Sequence, residues 1–358
     1  MLLDRTAALF TLNFSQVNGI TFLICTHNGA KRLADTLRHI AAQQVSKTIV
    51  WEVLIVSNAS SDNTIEVARD LQHTYNIQVP FRVLDEPVAG KENALIRGFN
   101  EAAYENIVII DDDNWIAPNY LSLVDEIMSA HPEIGVLGAH AEGMFEVTPP
   151  AWFDTFQAVY AVGEQNGGKT GPLPDHEGYL YGAGSVVRKS AWLKLLAHGF
   201  RFTTSTKRGK IIVSGEDVEL GDAMQLAGYK LWYDDRLRFK HYMFKERLTW
   251  NYLLRIGQGT ASSQLTSIVY YFVFRNPDLT ESKFRYLYNK RLVWLGMQIA
   301  RQPANVFNAV FRREQEGIIS NFETLRLFYN FQTSLKQREE AVKVFHQVSE
   351  LRNRLAGN

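Results

Sequence analysis

Cysteine is nearly missing from the chain: Cys25 is the only one in 358 residues. No intrachain disulfide can form, which fits a reducing compartment and predicts a cytoplasmic protein. An excess of charge is missing too, because 38 Lys and Arg balance 38 Asp and Glu. A general nucleic-acid binder, which needs a basic footprint, is disfavoured. No apolar run approaches the roughly 20 residues of a membrane-spanning helix. The nearest, "IVYYFVF" and "LVWLGMQIA", are far shorter. The opening "MLLDRTAALFTLNF" carries Asp4 and Arg5 inside its apolar stretch and lacks a clean signal-peptide pattern. No Gly-x-Gly-x-x-Gly follows the first apolar run, so a dinucleotide-binding fold loses its main support.

What is present alternates. "ITFLIC" (Ile20–Cys25), "WEVLIV" (Trp51–Val56), "FRVLDE" and "NIVII" read as strands. Between them, Leu33, Leu37, Ile40 and Ala41 share a helical face, Asn63 and Glu66 have capping-box spacing, and Ala94, Leu95, Phe99, Ala102 and Ala103 mark a third helix. Alternating β and α units predict a mostly parallel sheet with helices on both faces. Ligands bind such sheets at the carboxyl ends of the strands. The clusters "THN", "SNASSDN" and "DDDN" directly follow strands and should line one rim. Residues 140–210, rich in Gly, Pro and aromatics, predict long functional loops rather than a regular layer. Leu220, Ala223, Met224 and Ala227 then keep helical spacing, with Gly228 as the C-terminal stop. After about residue 246 the pattern is mostly helical. It carries 16 Lys and Arg against 9 Asp and Glu, so the preceding part must be equally acidic.

Three aspartates, Asp111, Asp112 and Asp113, end the apolar run Ile107–Ile110. A solvated loop or a helix cap would account for them. Alternatively, alternate carboxylates at a strand end share a side, and hard oxygen ligands suit Mg2+ or Mn2+ shared with substrate phosphates. Glu216 and Asp217 open the later helix, where acids complement the helix dipole. The same position would keep Asp217 ionised and able to act as a general base. His241 ends the strand-like Leu237–Tyr242 segment, and Gly90-Lys91 has the look of a phosphate-facing loop. Trp115, Trp152 and Trp232 read as core or rim packing, although an aromatic beside a site could also stack on a sugar.

The ordered set "CTHNGAKRLADTL", "EVLIVSNASSDNTIEVA", "PVAGKENALIRGFNEA", "IVIIDDDNWIAPNYL", "GAGSVVRKSAW" and "SGEDVELGDAMQLAGYKLWYDDRLRFKH" resembles the family 2 glycosyltransferases with the GT-A fold. The resemblance covers about Ile20 to His241 and weakens towards Ser263. It implies an α/β GT-A catalytic domain at 1–245, followed by a helical region at 246–358. It places Thr26, His27 and Asn28 at the nucleotide and Gly90 and Lys91 beside the nucleotide-sugar. Asp111 and Asp113 become an Asp-x-Asp pair, with Asp113 the direct ligand of a divalent metal, Mn2+ or Mg2+, and Asp111 nearer the ribose. His241 helps hold that metal, and Asp112 lies in the same nucleotide-sugar site. Asp217, with Glu216 beside it, is the catalytic base, and Ala183 and Gly184 border the acceptor. Many members carry Asp where this chain has Ser57, so Asn58 becomes the candidate substitute for reading the base.

The implied activity is inverting transfer of a sugar from a nucleotide-diphosphate sugar, with UDP expected, to an acceptor hydroxyl in glycan or surface polysaccharide assembly. A non-catalytic nucleotide-sugar-binding protein and a sugar nucleotidyltransferase are the rival classes. The basic C-terminal region predicts either recruitment of a glycan or lipid-linked acceptor, with peripheral association at the cytoplasmic membrane face, or packing against the acidic catalytic domain.

Overall fold

Side-chain alternation along the buried strands decides the architecture. In β1 (Ile20–Thr26), Ile20, Phe22 and Ile24 face one apolar core and Leu23 faces a second. In β2 (Trp51–Asn58), Val53 and Ile55 join the first core, and Leu54 and Val56 the second. The period of two therefore builds a sheet with both faces covered. Each fully buried Leu, Ile or Phe contributes roughly 1.5–3 kcal/mol, so these strands anchor the molecule. A computed structural model describes residues 17–203, 207–208, 211–212, 215–311 and 316–357. The N-terminal stretch read above for a signal pattern lies outside the described residues.

The chain continues through α1 (Leu33–Ala41), which lies between β1 and β2, then α2 (Thr64–Thr74), β3 (Phe81–Glu86), α3 (Lys91–Glu101), β4 (Asn106–Ile110), β5 (Asn114–Ile116), α4 (Tyr120–Ala130) and β6 (Ile134–Phe145). Next come a short α5 (Phe153–Phe156), β7 (Gly171–Pro172), β8 (Val186–Arg188), α6 (Lys189–Ala197), β9 (Lys207–Arg208) and β10 (Ile211–Ile212). Then follow α7 (Glu216–Leu226), β11 (Lys230–Met243) and five further helices: α8 (Trp250–Arg275), α9 (Glu281–Ala300), α10 (Pro303–Phe311), α11 (Ile319–Lys336) and α12 (Arg338–Leu355). The main sheet runs β3-β2-β1-β4-β8-β6-β11-β5, with β7 paired to β11.

The pairs among β3, β2, β1 and β4 are parallel, as is β6 with β11. Antiparallel β8 joins the two parallel sets, and β5 and β7 pair antiparallel with β11. The region expected to be loops is thus partly sheet and helix, because β6 reaches Phe145 and β8 and α6 follow Ser185. Asn63 occupies the α2 cap position without a side-chain capping bond; the Asp62 carboxylate accepts from the Thr64 N–H instead. Gly228, at φ +90°, follows α7 as expected of a helix stop.

The C-terminal helices are not an appendage. Leu265, Val269, Tyr270, Phe284, Phe345 and Leu351 share one apolar core with Leu23, Ile109, Trp192 and Leu220 of the sheet region. No helix among the described residues is long and apolar enough to cross a membrane.

Candidate active site

The carboxyl ends of β1, β2 and β4 meet at one rim, and the three aspartates leave β4 in three directions. Ile109 faces the core under α3 and α7, and Ile110 faces the core under α1 and α4. That alternation carries on for two residues. Asp111 turns to α3, where Lys91 Nζ donates to Oδ1 at 2.9 Å. Asp112 turns to α1, where Arg32 donates through Nε and Nη2 at 2.7 Å each. Thr26 Oγ1 also donates to Asp112. The chain then turns, with Asn114 N–H donating to the Asp111 carbonyl. Strand alternation has ended, so Asp113 does not rejoin the Asp111 side as the sequence suggested. It faces β11 and the loop after it. Arg247 Nη1 lies 2.9 Å from Asp113 Oδ2, and His241 Nε2 lies 3.5 Å from Oδ1. Asp112 does lie on the face opposite Asp111, but that face is covered by α1, so the carboxylate is buried at 6% exposure rather than left to solvent.

The crowding of like charge is therefore offset three times over by separate cations. Burial pushes the Asp112 carboxyl up, opposed by Arg32 and Thr26. Burial would also raise Asp113, but His241 and Arg247 overcome it and hold the carboxyl below its usual range. Burial works against the Lys91 ammonium, yet Asp111, Glu216 and Asp217 surround it and raise it well above its ordinary value.

The nucleotide-side loops are tied to one another. His27 Nδ1 lies 2.8 Å from the Asn58 carbonyl oxygen. Asn28, at φ +51°, donates its N–H to Ser60 Oγ, and its Oδ1 accepts from the Ser61 N–H. Ser57 is buried and its hydroxyl donates to Ser60 Oγ at 2.9 Å. Asn58 Oδ1 accepts from the Gly90 N–H at 2.8 Å, and its Nδ2 donates to the Val88 carbonyl at 2.7 Å. The Asn58 amide is thus spent on holding the Gly90 loop. Gly90 itself, at φ +140°, adopts backbone that side-chain-bearing residues rarely do, and it opens α3 with Lys91 as the first residue.

Opposite Asp111, α7 begins with Glu216 and Asp217. Asp217 is half-buried; its Oδ2 accepts from the Gly182 N–H at 3.0 Å and its Oδ1 from the Val218 N–H at 2.8 Å. Glu216 is buried, and burial pushes its carboxyl up to about 7, with Lys91 opposing and Asp217 adding to the rise. Ala183 and Gly184 continue the chain from Gly182 to β8. Gly184 donates its N–H to Ile109 at the end of β4, and a Cβ there would meet Phe239 at 2.4 Å. These residues fix the strand ends beside Asp217.

Arg32, Arg247 and Gly182 were not expected as site residues. Arg32 sits inside a quoted motif, but nothing in the one-dimensional pattern pairs it with an aspartate 80 positions away. The segment Gly163–Thr170, "GEQNGGKT", matches the letters of a phosphate-binding loop. It is followed by β7 and not by a helix, so the helix N-terminus that such a loop feeds is missing.

A divalent ion has a partial donor set here. Asp113 and His241 supply a hard oxygen and an imidazole on one spot, and His241 Nδ1 is buried with no partner. Among the described residues no three His, Cys, Asp or Glu side chains converge. The residues fit an ion whose remaining ligands come from a diphosphate and water.

A cavity of about 900 Å3 opens beyond Asp217, between the sheet region and the C-terminal helices. Its walls include Tyr179, Val218 and Asp222 on one side and Tyr271, Trp294 and Arg291 on the other.

Comparison with known proteins agrees with this architecture. Residues 21–191 match the family described as Glycosyl transferase family 2. A poly-beta-1,6-N-acetyl-D-glucosamine synthase of Staphylococcus epidermidis is 30% identical over 123 residues, which are 34% of this chain and 28% of that protein. The synthase of that name from Staphylococcus aureus is 33% identical over 113 residues, 31% of this chain and 26% of that one. The match therefore spans little more than a quarter of these relatives. Among solved structures, the mannosyltransferase PcManGT from Pyrobaculum calidifontis, in complex with GDP-Man and Mn2+, aligns with a TM-score of 0.51 at 15% identity, over 94% of this chain and 84% of that one. TarS of S. aureus aligns with a TM-score of 0.50 at 14% identity, over 93% and 55%. At these identities the likeness is one of fold.

Proposed function

Starting from a chain that belongs, through residues 21–191, to glycosyl transferase family 2, we propose that it is an inverting glycosyltransferase that uses a nucleotide-diphosphate sugar, with UDP as the nucleotide. The observation that carries this reading is the position of Asp217. Its carboxylate lies between the Lys91–Asp111 pair at the sheet rim and the large cavity beyond α7. A donor on the rim and an acceptor in the cavity would meet at that carboxylate.

In the reaction, Asp217 takes the proton of an acceptor hydroxyl as that oxygen attacks the anomeric carbon. The new carbon–oxygen bond forms on the face opposite the bond to the diphosphate. That older bond breaks, and the nucleoside diphosphate leaves with the electron pair. Lys91 faces the charge that develops on the leaving group, and the Gly90 turn held by Asn58 keeps it there. A divalent ion held by Asp113 and His241, when bound, would add neutralising charge on the diphosphate. The poly-N-acetylglucosamine synthases among the relatives favour a glycan acceptor and a hexosamine donor.

The test is a transfer and hydrolysis assay with a panel of UDP-sugars, with Mn2+ or with chelator. Sugar release or transfer that needs Asp217 supports the enzyme. Tight binding with no turnover on any donor would instead point to a sensor. Pyrophosphate-dependent formation of a sugar nucleotide would point to a nucleotidyltransferase.

A further inference from the structure

The cavity beyond Asp217 has an uneven charge that the transfer reaction itself does not explain. On its helical side, Arg291 of α9 is half-buried and bonds only to neutral groups. Its Nη1 donates to Ser334 Oγ at 3.1 Å and its Nη2 to Asn330 Oδ1 at 2.9 Å. Lys290, next in the chain, lines the same cavity. Among the described residues, no carboxylate pairs with either one. Arg326 adds a third cation, although it shares an exposed ion pair with Glu323 at 2.9 Å. The opposite wall carries two carboxylates, Asp217 at the transfer end and Asp222. Burial, with Glu219 adding to it, pushes the Asp222 carboxyl well above the usual range. A half-buried guanidinium without a counter-ion keeps both its charge and its unused donors for a ligand.

The cavity also presents aromatic faces. Tyr179, Tyr271 and Trp294 line it, and each remains about half exposed (51%, 48% and 51%). Arg275 already lies over the Tyr271 ring at 4.9 Å, so Tyr179 and Trp294 are the aromatic surfaces that suit the apolar faces of sugar rings. Tyr179 links the two ends: both Asp217 and Arg326 act on its phenol from within electrostatic reach. A ligand a few sugar units long can therefore place one hydroxyl at Asp217 and a charged substituent at the basic wall.

We propose that this cavity is the acceptor site and that it selects a saccharide acceptor carrying an anionic substituent, a phosphate or a carboxylate, held by Arg291 and Lys290. The assignment rests on the glycosyltransferase reading for Asp217, but it can be tested without turnover.

Three soluble probes are titrated calorimetrically into the full-length protein at low salt: chitotetraose, which is neutral; tetragalacturonate, which carries carboxylates; and an oligomer of glycerol phosphate. At least one anionic probe should bind about tenfold or more tightly than chitotetraose, the scale of one charge-assisted contact. The preference should fall as salt is added. Arg291→Gln should remove most of it. Lys290→Gln, at an exposed position, should reduce it and decides the matter if Arg291→Gln does not fold. Trp294→Ala should weaken the two saccharide probes, chitotetraose and tetragalacturonate, more than the ring-free glycerol phosphate oligomer. Asp217→Asn should leave probe binding in place, so loss of catalysis and loss of acceptor selection are read separately. The better anionic probe identifies the substituent; equal binding of both supports recognition by charge alone. The proposal is overturned if chitotetraose binds as tightly as the anionic probes, or if the preference survives both charge substitutions. It is also overturned if the protein binds phosphatidylglycerol vesicles but none of the soluble probes.

Discussion

The Arg247 guanidinium stands 2.9 Å from Oδ2 of Asp113, the carboxylate that a divalent ion would need. Asp113 is almost fully buried, and Arg247 is one-third exposed at its side chain. Two cations cannot share that carboxylate at contact distance without repulsion, so binding of one implies displacement of the other. Arg247→Met should therefore raise Mn2+ affinity in the absence of nucleotide by about tenfold, one strong charge-assisted contact. It should also lower stability, by less than the roughly 3–5 kcal/mol of a fully buried pair, because His241 remains beside Asp113. Calorimetric Mn2+ titration and chemical denaturation measure the two effects. Unchanged Mn2+ affinity would remove Asp113 from the metal site.

Glu216 makes stability depend on pH in a stated direction. Burial lifts its carboxyl from 4.5 to about 7 in the folded protein. Between those values the native state keeps a proton that the unfolded chain releases. The stabilising contribution is therefore complete below the unfolded value and is lost as pH rises through the window. Glu216→Gln has no proton to lose and should flatten this part of the curve. Melting temperatures of both proteins from pH 4.5 to pH 8 report it. Parallel curves would mean that Glu216 is ionised throughout.

How much of this could be read in one dimension depends on the range of the signal. The strands of β1, β2, β3 and β4 and the rim they form were legible, because apolar runs and the polar clusters after them are local patterns. The antiparallel insertion of β8 between β4 and β6 was not, since Val186–Arg188 is too short to carry a period. The Asp111–Asp113 cluster was legible as a site. Its division among Lys91, Arg32 and Arg247 was not, because two of those contacts cross most of a domain in sequence and the strand ends at Ile110, one residue before the first aspartate. The cavity wall was missed for a similar reason. Helix α9 reads as generic amphipathic helix until α8 and α11 are packed beside it.

Ser57 and Asn58 should separate cleanly. The Ser57 hydroxyl donates to Ser60 within the loop, so Ser57→Ala removes one neutral hydrogen bond and should cost about 0.5–1.5 kcal/mol of stability. Its effect on UDP affinity should be small. Asn58→Ala removes the acceptor for the Gly90 N–H and the donor to Val88, leaving the loop that bears Lys91 unheld. UDP affinity should then fall more than with Ser57→Ala, and calorimetry ranks the two. The reverse order would show that Ser57 reads the base directly.

The last prediction concerns Asp217 and the division of labour across the site. A general base acts on the acceptor proton in the transition state and contributes little to holding the donor. Asp217→Asn keeps the shape of the side chain and an oxygen for the Gly182 N–H, but it cannot take up a proton at neutral pH. UDP and Mn2+ affinity should remain near native, while transfer falls by roughly 10²–10⁴-fold, as for loss of a general base. Asp113→Ala should differ by weakening metal-dependent donor binding as well, because it empties the carboxylate position beside His241. Asp112→Ala should weaken donor binding less than Asp113→Ala does, since Asp112 is committed to Arg32 and Thr26. Steady-state kinetics with calorimetric donor binding distinguishes the three variants. Native-rate transfer by Asp217→Asn would reduce Asp217 to a helix-start acid, and loss of UDP binding in a folded Asp217→Asn protein would move the residue to the donor site.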